Sequence, residues 1–240
     1  MQPPSRRGQS FDPDYPLEVW APLVNALIKT SKLIKADYGR VDPRVAMQWI
    51  AMESDGAPCA FGKPGEKGPD GLPREIGIGQ LYNPDDFQLP DLVSMGITPA
   101  SLRAYCAPNS QHRTRRLTDK EMREQVHGHL AKIAQSMEVA DGVVSKHGLH
   151  WSMADYWKLV KSVHGWPPIW NTGLPAVVKK LGRAPTSWVE FRQALGMDVM
   201  VKDEDRRSKT YGQMIPKYPR WHRSLNNAEK LASAVTTGEA

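Results

Sequence analysis

Apolar residues recur at three- and four-residue steps in several separate stretches of this chain, the period of amphipathic helices. The first stretch runs from about Leu17 to Asp37, with Leu23, Leu27 and Ile34 on one stripe and Gly39 ending it. Asp42 is a good N-cap and Pro43 a good first helical residue for a second helix. In it Val45, Trp49 and Met52 recur at helical spacing beside Ala46 and Ile50. Thr118 and Glu121 form a capping box for a long helix, whose stripe is Met122, Val126, Leu130, Ile133, Met137 and Val144. Ser152 and Asp155 open another helix through Tyr156, Leu159 and Val163. Ser187 and Glu190 cap a short one containing Trp188, Phe191 and Leu195, and Ala228 to Val235 reads as a terminal helix. The pattern predicts a mainly α protein without internal repeats.

The segments between these helices divide the chain further. Residues 1–15 read as a flexible arm, 16–200 as the main domain and 201–240 as a basic extension wrapping the core as an extended arm. Ala57 to Glu75 carries Gly62, Gly65, Gly68 and Gly71 together with Pro58, Pro64, Pro69 and Pro73. Such a run excludes regular helix or strand and reads as a long excursion. Trp166-Pro167-Pro168-Ile169-Trp170 reads as a rigid aromatic corner. Its Trp166 and Trp170 suit either stacking on a flat ligand or packing under a loop.

Composition narrows the partners. A hydrophobic fraction of 40% is that of an ordinary globular protein. The net charge of +6 and pI near 9.3 suit a polyanionic partner. Arg113, Arg115 and Arg116 are candidates for such contact, or a solvated loop. Cys59 and Cys106 form no zinc pattern; they could pair if the loop folds back, and free thiols are the default expectation. His127 and His129 point to different helix faces, and His147 and His150 flank Gly148, so no metal or other cofactor is expected. No stretch is apolar and long enough to span a membrane. Met1 to Pro16 lacks the apolar core of a signal peptide.

The densest chemistry surrounds Glu53. It lies four residues after Trp49 and three after Ile50, on a face that should turn inward. Desolvation there favours the protonated carboxyl, as a general acid requires. Ser54 follows directly, and beyond the excursion comes Gly77-Ile78-Gly79-Gln80. Gly77 and Gly79 flank Ile78, so a bulky ligand could approach the backbone closely, and Gln80 offers a donor and an acceptor. Nearby Tyr82 is a further candidate contact.

The order Glu-Ser, loop, Gly-x-x-Gln resembles the lytic transglycosylases of the lysozyme-like superfamily, soluble lytic transglycosylases and goose-type lysozymes among them. Glu53 and Ser54 match the family's Glu-Ser pair. Gly77-Ile78-Gly79-Gln80 is similar to its Gly-Leu-Met-Gln, with Gly79 in place of Met. Val41-Asp42-Pro43 looks like the usual helix opening. Ala60 to Glu75 lengthens the spacing. The family's third motif, Ala-Tyr-Asn-Ala-Gly, has its nearest candidate in Lys161-Ser162-Val163-His164-Gly165, which lacks the Tyr and Asn and offers His164 instead.

The resemblance implies a lysozyme-like helical domain with the Gly/Pro-rich loop beside an active-site groove, and peptidoglycan glycan strands as substrate. It implies one catalytic carboxylate, Glu53, with Ser54, Gly77, Ile78, Gly79, Gln80, Tyr82 and His164 toward the substrate. A second carboxylate, for which Glu75, Asp85 and Asp86 are candidates, would make a hydrolytic lysozyme instead; Asp85 and Asp86 also suit the capping of a short helix. Without an export signal, such an enzyme would reach the wall by holin-assisted release from the host cytoplasm or inside a virion. A phage origin, with virion proteins as further partners, is therefore the expectation. Two other readings remain: a non-catalytic wall-binding or virion protein of the same fold, and a basic nucleic-acid-binding protein. The last explains the arginines but not the surroundings of Glu53.

Overall fold

Asp42 caps α2 (Pro43–Glu53) as its sequence requires, its Oδ1 accepting the Arg44 amide at 2.8 Å. That helix belongs to a computed structural model describing residues 12–30, 38–62, 65–108, 110–165, 167–197, 199–204 and 208–236. Among them are eight α-helices and four strands of two or three residues each, so the protein is mainly helical. The chain forms two compact units, Met1–Gln135 and Ser136–Ala240.

In the first unit, α1 (Leu17–Thr30) buries Trp20, Val24 and Leu27, with Leu23 only half-buried. The predicted continuation through Ile34 lies outside the described residues. Gly39 falls in a 3-10 turn, Tyr38–Arg40. The Trp20 indole donates to the Gly56 carbonyl at 2.9 Å, which fastens α1 to the end of α2. A short hairpin follows the long loop: β1 (Glu75–Ile76) pairs antiparallel with β2 (Leu81–Tyr82) around Gly77–Gln80. Asp85–Gln88 and Ser101–Arg103 form 3-10 turns on either side of α3 (Pro90–Ser94). α4 (Asp119–His147) then opens with the predicted capping box: the Thr118 amide donates to Glu121 Oε2 at 2.8 Å and the Glu121 amide to Thr118 Oγ1 at 3.3 Å.

Three expectations change in this unit. Cys59 and Cys106 are joined in a disulfide, not free. The loop after α2 folds back over the Ser101–Arg103 turn, where Arg103 Nη1 donates to the Cys59 carbonyl at 2.8 Å. The two Cα atoms are thereby 5.8 Å apart, within bridging distance. Closing so long a loop typically contributes ~2–4 kcal/mol. Secondly, residues 12–15 are anchored, not a free arm. Tyr15 is buried, stacks on Trp20 with centroids 5.7 Å apart, and accepts the Leu117 amide at 2.9 Å. Thirdly, carboxylates already engage two of the three arginines proposed for a polyanion. Arg113 is paired with Asp12 and Asp14, and Arg115 with Glu121.

The second unit is built on α5 (Met153–Gly165) and α8 (Pro219–Thr236), which pack together. α8 buries Leu225, Ala228, Leu231 and Ala232. The expected terminal helix is present but starts at Pro219 rather than Ala228, so 219–227 are helical instead of extended. A π-turn, Ile169–Gly173, leads into α6 (Leu174–Leu181) and then α7 (Trp188–Leu195). α7 is capped as expected, with Ser187 Oγ accepting the Glu190 amide at 3.2 Å. Trp170 is buried and stacks on Phe191 with centroids 4.9 Å apart, beside Trp151 and Trp188. Packing, not an open stacking surface, is its role; Trp166 lies outside the described residues. β3 (Met200–Lys202) pairs antiparallel with β4 (Met214–Pro216) ahead of α8.

The caps make stability depend on pH. The guanidinium of Arg115 first, and then the Thr118 amide, hold the Glu121 carboxyl at about 2, against an ordinary value of 4.5. A group lowered on folding stabilises fully above its unfolded pKa, and this is lost as pH falls through the folded one. Stability should therefore decline between pH 4.5 and about 2. Glu121→Gln should cost stability at neutral pH and flatten that decline. Urea unfolding across a pH series checks this; an unchanged slope in the variant would contradict it.

Candidate active site

Glu53 ends α2, one turn beyond the buried Trp49 and Ile50, and is itself half-buried. The chain then turns sharply, with Asp55 at φ 54° and Gly56 at φ 83°. A side chain at Gly56 would meet the Tyr15 carbonyl at 2.8 Å, so glycine is required there. Ser54 fixes the turn. It is wholly buried, and its Oγ donates to the Ile78 carbonyl at 2.9 Å while accepting the Gly56 amide at 3.2 Å. Residues 24 positions apart in sequence, the serine after Glu53 and the middle of the glycine turn, are thus directly bonded.

A second tie runs parallel to the first. The Gly77 amide donates to the Ala60 carbonyl at 3.1 Å, next to the disulfide at Cys59. Ala57, Cys59 and Ala60 are buried, so the first leg of the Gly/Pro-rich loop is packed. Among its described residues up to Arg74 the loop has no helix or strand, only an isolated bridge between Lys67 and Pro73, and its last residue, Glu75, opens β1.

The Gly77–Gln80 turn owes its shape to α4. Ile78 is fully buried, and its amide donates to Gln125 Oε1 at 3.0 Å. Gln125 Nε2 reaches the Leu102 carbonyl at 3.3 Å. The His129 ring donates from Nε2 to the Ala46 carbonyl of α2 at 2.9 Å. Lys132 Nζ donates to the Gly79 carbonyl at 2.9 Å and the Gln80 carbonyl at 2.5 Å, with Asp86 Oδ2 at 3.7 Å. Gln125, His129 and Lys132 are all buried and recur at helical spacing on one face of α4.

This geometry reassigns several candidate contacts. A Cβ on Gly77 would sit 2.4 Å from Gln125 Oε1, and one on Gly79 2.7 Å from His129 Nδ1. The glycines admit α4 side chains to the backbone, which is a closer fit than the ligand approach expected of them. Gln80 adopts a left-handed φ of 49° and spends its Nε2 on the Gly77 carbonyl at 2.8 Å. The Tyr82 ring lies beneath the Arg74 guanidinium, 4.8 Å away, and its amide donates to Asp86 Oδ2 at 2.7 Å. Asp86 is therefore a buried structural acceptor beside Lys132. Asp85 is exposed at the start of its 3-10 turn. Glu75 is half-buried opposite Tyr82, its carboxyl lying over Gly62. His164 sits half-buried on α5 in the second unit. Among the described residues no group of three or more His, Cys, Asp and Glu is arranged to hold a metal ion.

The apolar stripe of α4 leaves out Gln125 and Lys132, and His129 enters the sequence reading only as a metal-ligand candidate. Their shared face was visible in the spacing, but nothing in the sequence showed which backbone groups would meet them.

No protein-family model matches the sequence, and no curated protein or solved structure shows significant similarity to it.

Lys132→Met should be strongly destabilising. It strips two turn carbonyls of their donor and leaves Asp86 buried without a counter-charge, at a cost on the order of 3 kcal/mol. Adding Asp86→Asn should restore part of the loss. Urea midpoints of the single and double variants measure this, and an unshifted midpoint for Lys132→Met would contradict the role given to the amino group.

Proposed function

We propose that this protein is a peptidoglycan lytic transglycosylase of the lysozyme-like type, with Glu53 as its single acid and base. The observation that carries the reading is the Ser54–Ile78 hydrogen bond. It ties the residue after Glu53 to the same glycine turn that the resemblance pairs with a catalytic Glu-Ser. The order of helix, hairpin turn and supporting helix α4 is consistent with it.

In the first step Glu53 protonates the glycosidic oxygen between N-acetylmuramic acid and N-acetylglucosamine, and the C1–O bond breaks. In the second, the resulting carboxylate takes the proton from the muramic 6-hydroxyl. That oxygen closes on C1, leaving a 1,6-anhydromuramoyl end and a carboxyl ready for another cycle. No water is consumed, and no second carboxylate is required. The engagement of Asp86 with the Tyr82 amide and Lys132 supports this simpler scheme over a two-carboxylate hydrolysis. Proton transfer by a positioned side chain contributes typically ~10²–10⁴ in rate, and a turn held rigid beside it supplies orientation.

Digestion of purified peptidoglycan with mass-spectrometric reading of the products tests the proposal. The wild type should release anhydromuramoyl ends, and Glu53→Gln should lose at least the ~10²–10⁴ assigned to proton transfer while melting like the wild type. Reducing muramic ends would instead identify a hydrolase. Folded wild type that cleaves nothing would overturn the enzyme reading.

A further inference from the structure

The β3–β4 hairpin of the second unit presents large apolar side chains to solvent. Met214 is 59% exposed, Tyr211 52%, Met200 47% and Tyr218 38%. The register sets Met200 opposite Pro216 and Lys202 opposite Met214, so both methionines share a face with Lys202. The acidic side chain of this region is turned inward. Asp203 is buried and accepts from Thr210 Oγ1 at 2.7 Å. Its amide donates to the Gln213 carbonyl at 2.9 Å and its carbonyl accepts from Gly212 at 2.8 Å, which closes the hairpin. Lys202, Lys209 and Lys217 remain exposed, as do Arg220 and Arg223 at the start of α8. Among the described residues of 199–223, Glu204 is the exposed acid.

An apolar patch of this kind marks a docking surface, and the charge around it selects the partner. Protein interfaces enrich Tyr, Met and Arg but deplete Lys. Bilayer surfaces favour aliphatic and aromatic side chains at headgroup depth, flanked by Lys and Arg that meet anionic phosphates. The three lysines therefore fit a lipid surface better than a protein one. We propose that the β3–β4 hairpin docks peripherally on an anionic bilayer. Met200 and Met214 enter the interfacial region from the face they share with Lys202, and the lysines hold the headgroups. No helix among the described residues is long and apolar enough to cross a membrane, so the contact is one of lying on the surface. The proposal stands apart from Glu53 and its chemistry.

Sedimentation of the full chain with phosphatidylcholine vesicles, with and without phosphatidylglycerol, tests it. The protein should pellet with the phosphatidylglycerol vesicles, less so as salt rises. Lys202→Gln and Lys217→Gln should each weaken binding about fivefold. Met200→Asp with Met214→Asp should abolish binding while thermal melting stays that of the wild type. Hydrogen exchange on the unaltered chain gives an independent reading: amides of 199–204 and 208–218 should gain protection on adding these vesicles. Equal binding to both vesicle types, none to either, or binding indifferent to the methionines would overturn the proposal. So would self-association without vesicles that the methionine substitutions abolish, since the occupant would then be a second copy.

Discussion

The amino group of Lys132 sits in the protein interior with oxygen partners from Gly79, Gln80 and Asp86. Removing a cation from water costs several kcal/mol, and the arrangement persists only because each partner is itself fixed. Asp86 is held by the Tyr82 amide, and the Gly79 and Gln80 carbonyls belong to a turn that Gln125 grips from its other end. A turn of four residues in a two-strand hairpin has little core of its own. Its shape is imposed by α4, and everything attached to it inherits that rigidity.

What is attached to it is the end of α2. The Ser54 hydroxyl joins the Ile78 carbonyl, and the Gly77 amide joins Ala60 beside the disulfide. While His129 holds the first turn of α2 to α4 through the Ala46 carbonyl, these two ties meet on one short stretch of backbone. Glu53 stands at its margin, half-buried, between the apolar face of α2 and the sharp turn at Asp55 and Gly56. In the proposed reaction a carboxyl gives a proton and its carboxylate then takes one back, which needs its position kept through both steps, and a scaffold of this stiffness suits that. The second unit owes its cohesion to a different source, the packing of α8 on α5 and an aromatic cluster around Trp170.

Features that depend on near neighbours were legible in the sequence. Asp42, Thr118 with Glu121, and Ser187 with Glu190 cap their helices because a side chain and an amide within three residues decide the matter. Features that depend on distant partners were not. Cys59 and Cys106 meet only once Arg103 draws the loop back. Gly77 and Gly79 stand out in the sequence, yet the neighbours a side chain there would strike, Gln125 and His129, are distant in it. Lys132 stands off the apolar stripe of its helix, and nothing local shows that two turn carbonyls and Asp86 will meet it. Exposed Met200 and Met214 were equally hidden, since nothing local distinguishes a buried strand from a bare one.

The turn beside Glu53 depends most directly on the grip of Gln125 on the Ile78 amide. Hydrogen exchange at that single amide, in the wild type and in Gln125→Leu, measures it. Strong protection is expected in the wild type, lost in the variant while the amides of α5 and α8 keep theirs. An Ile78 amide that exchanges freely in the folded wild type would contradict the claim that α4 fixes the turn beside Glu53.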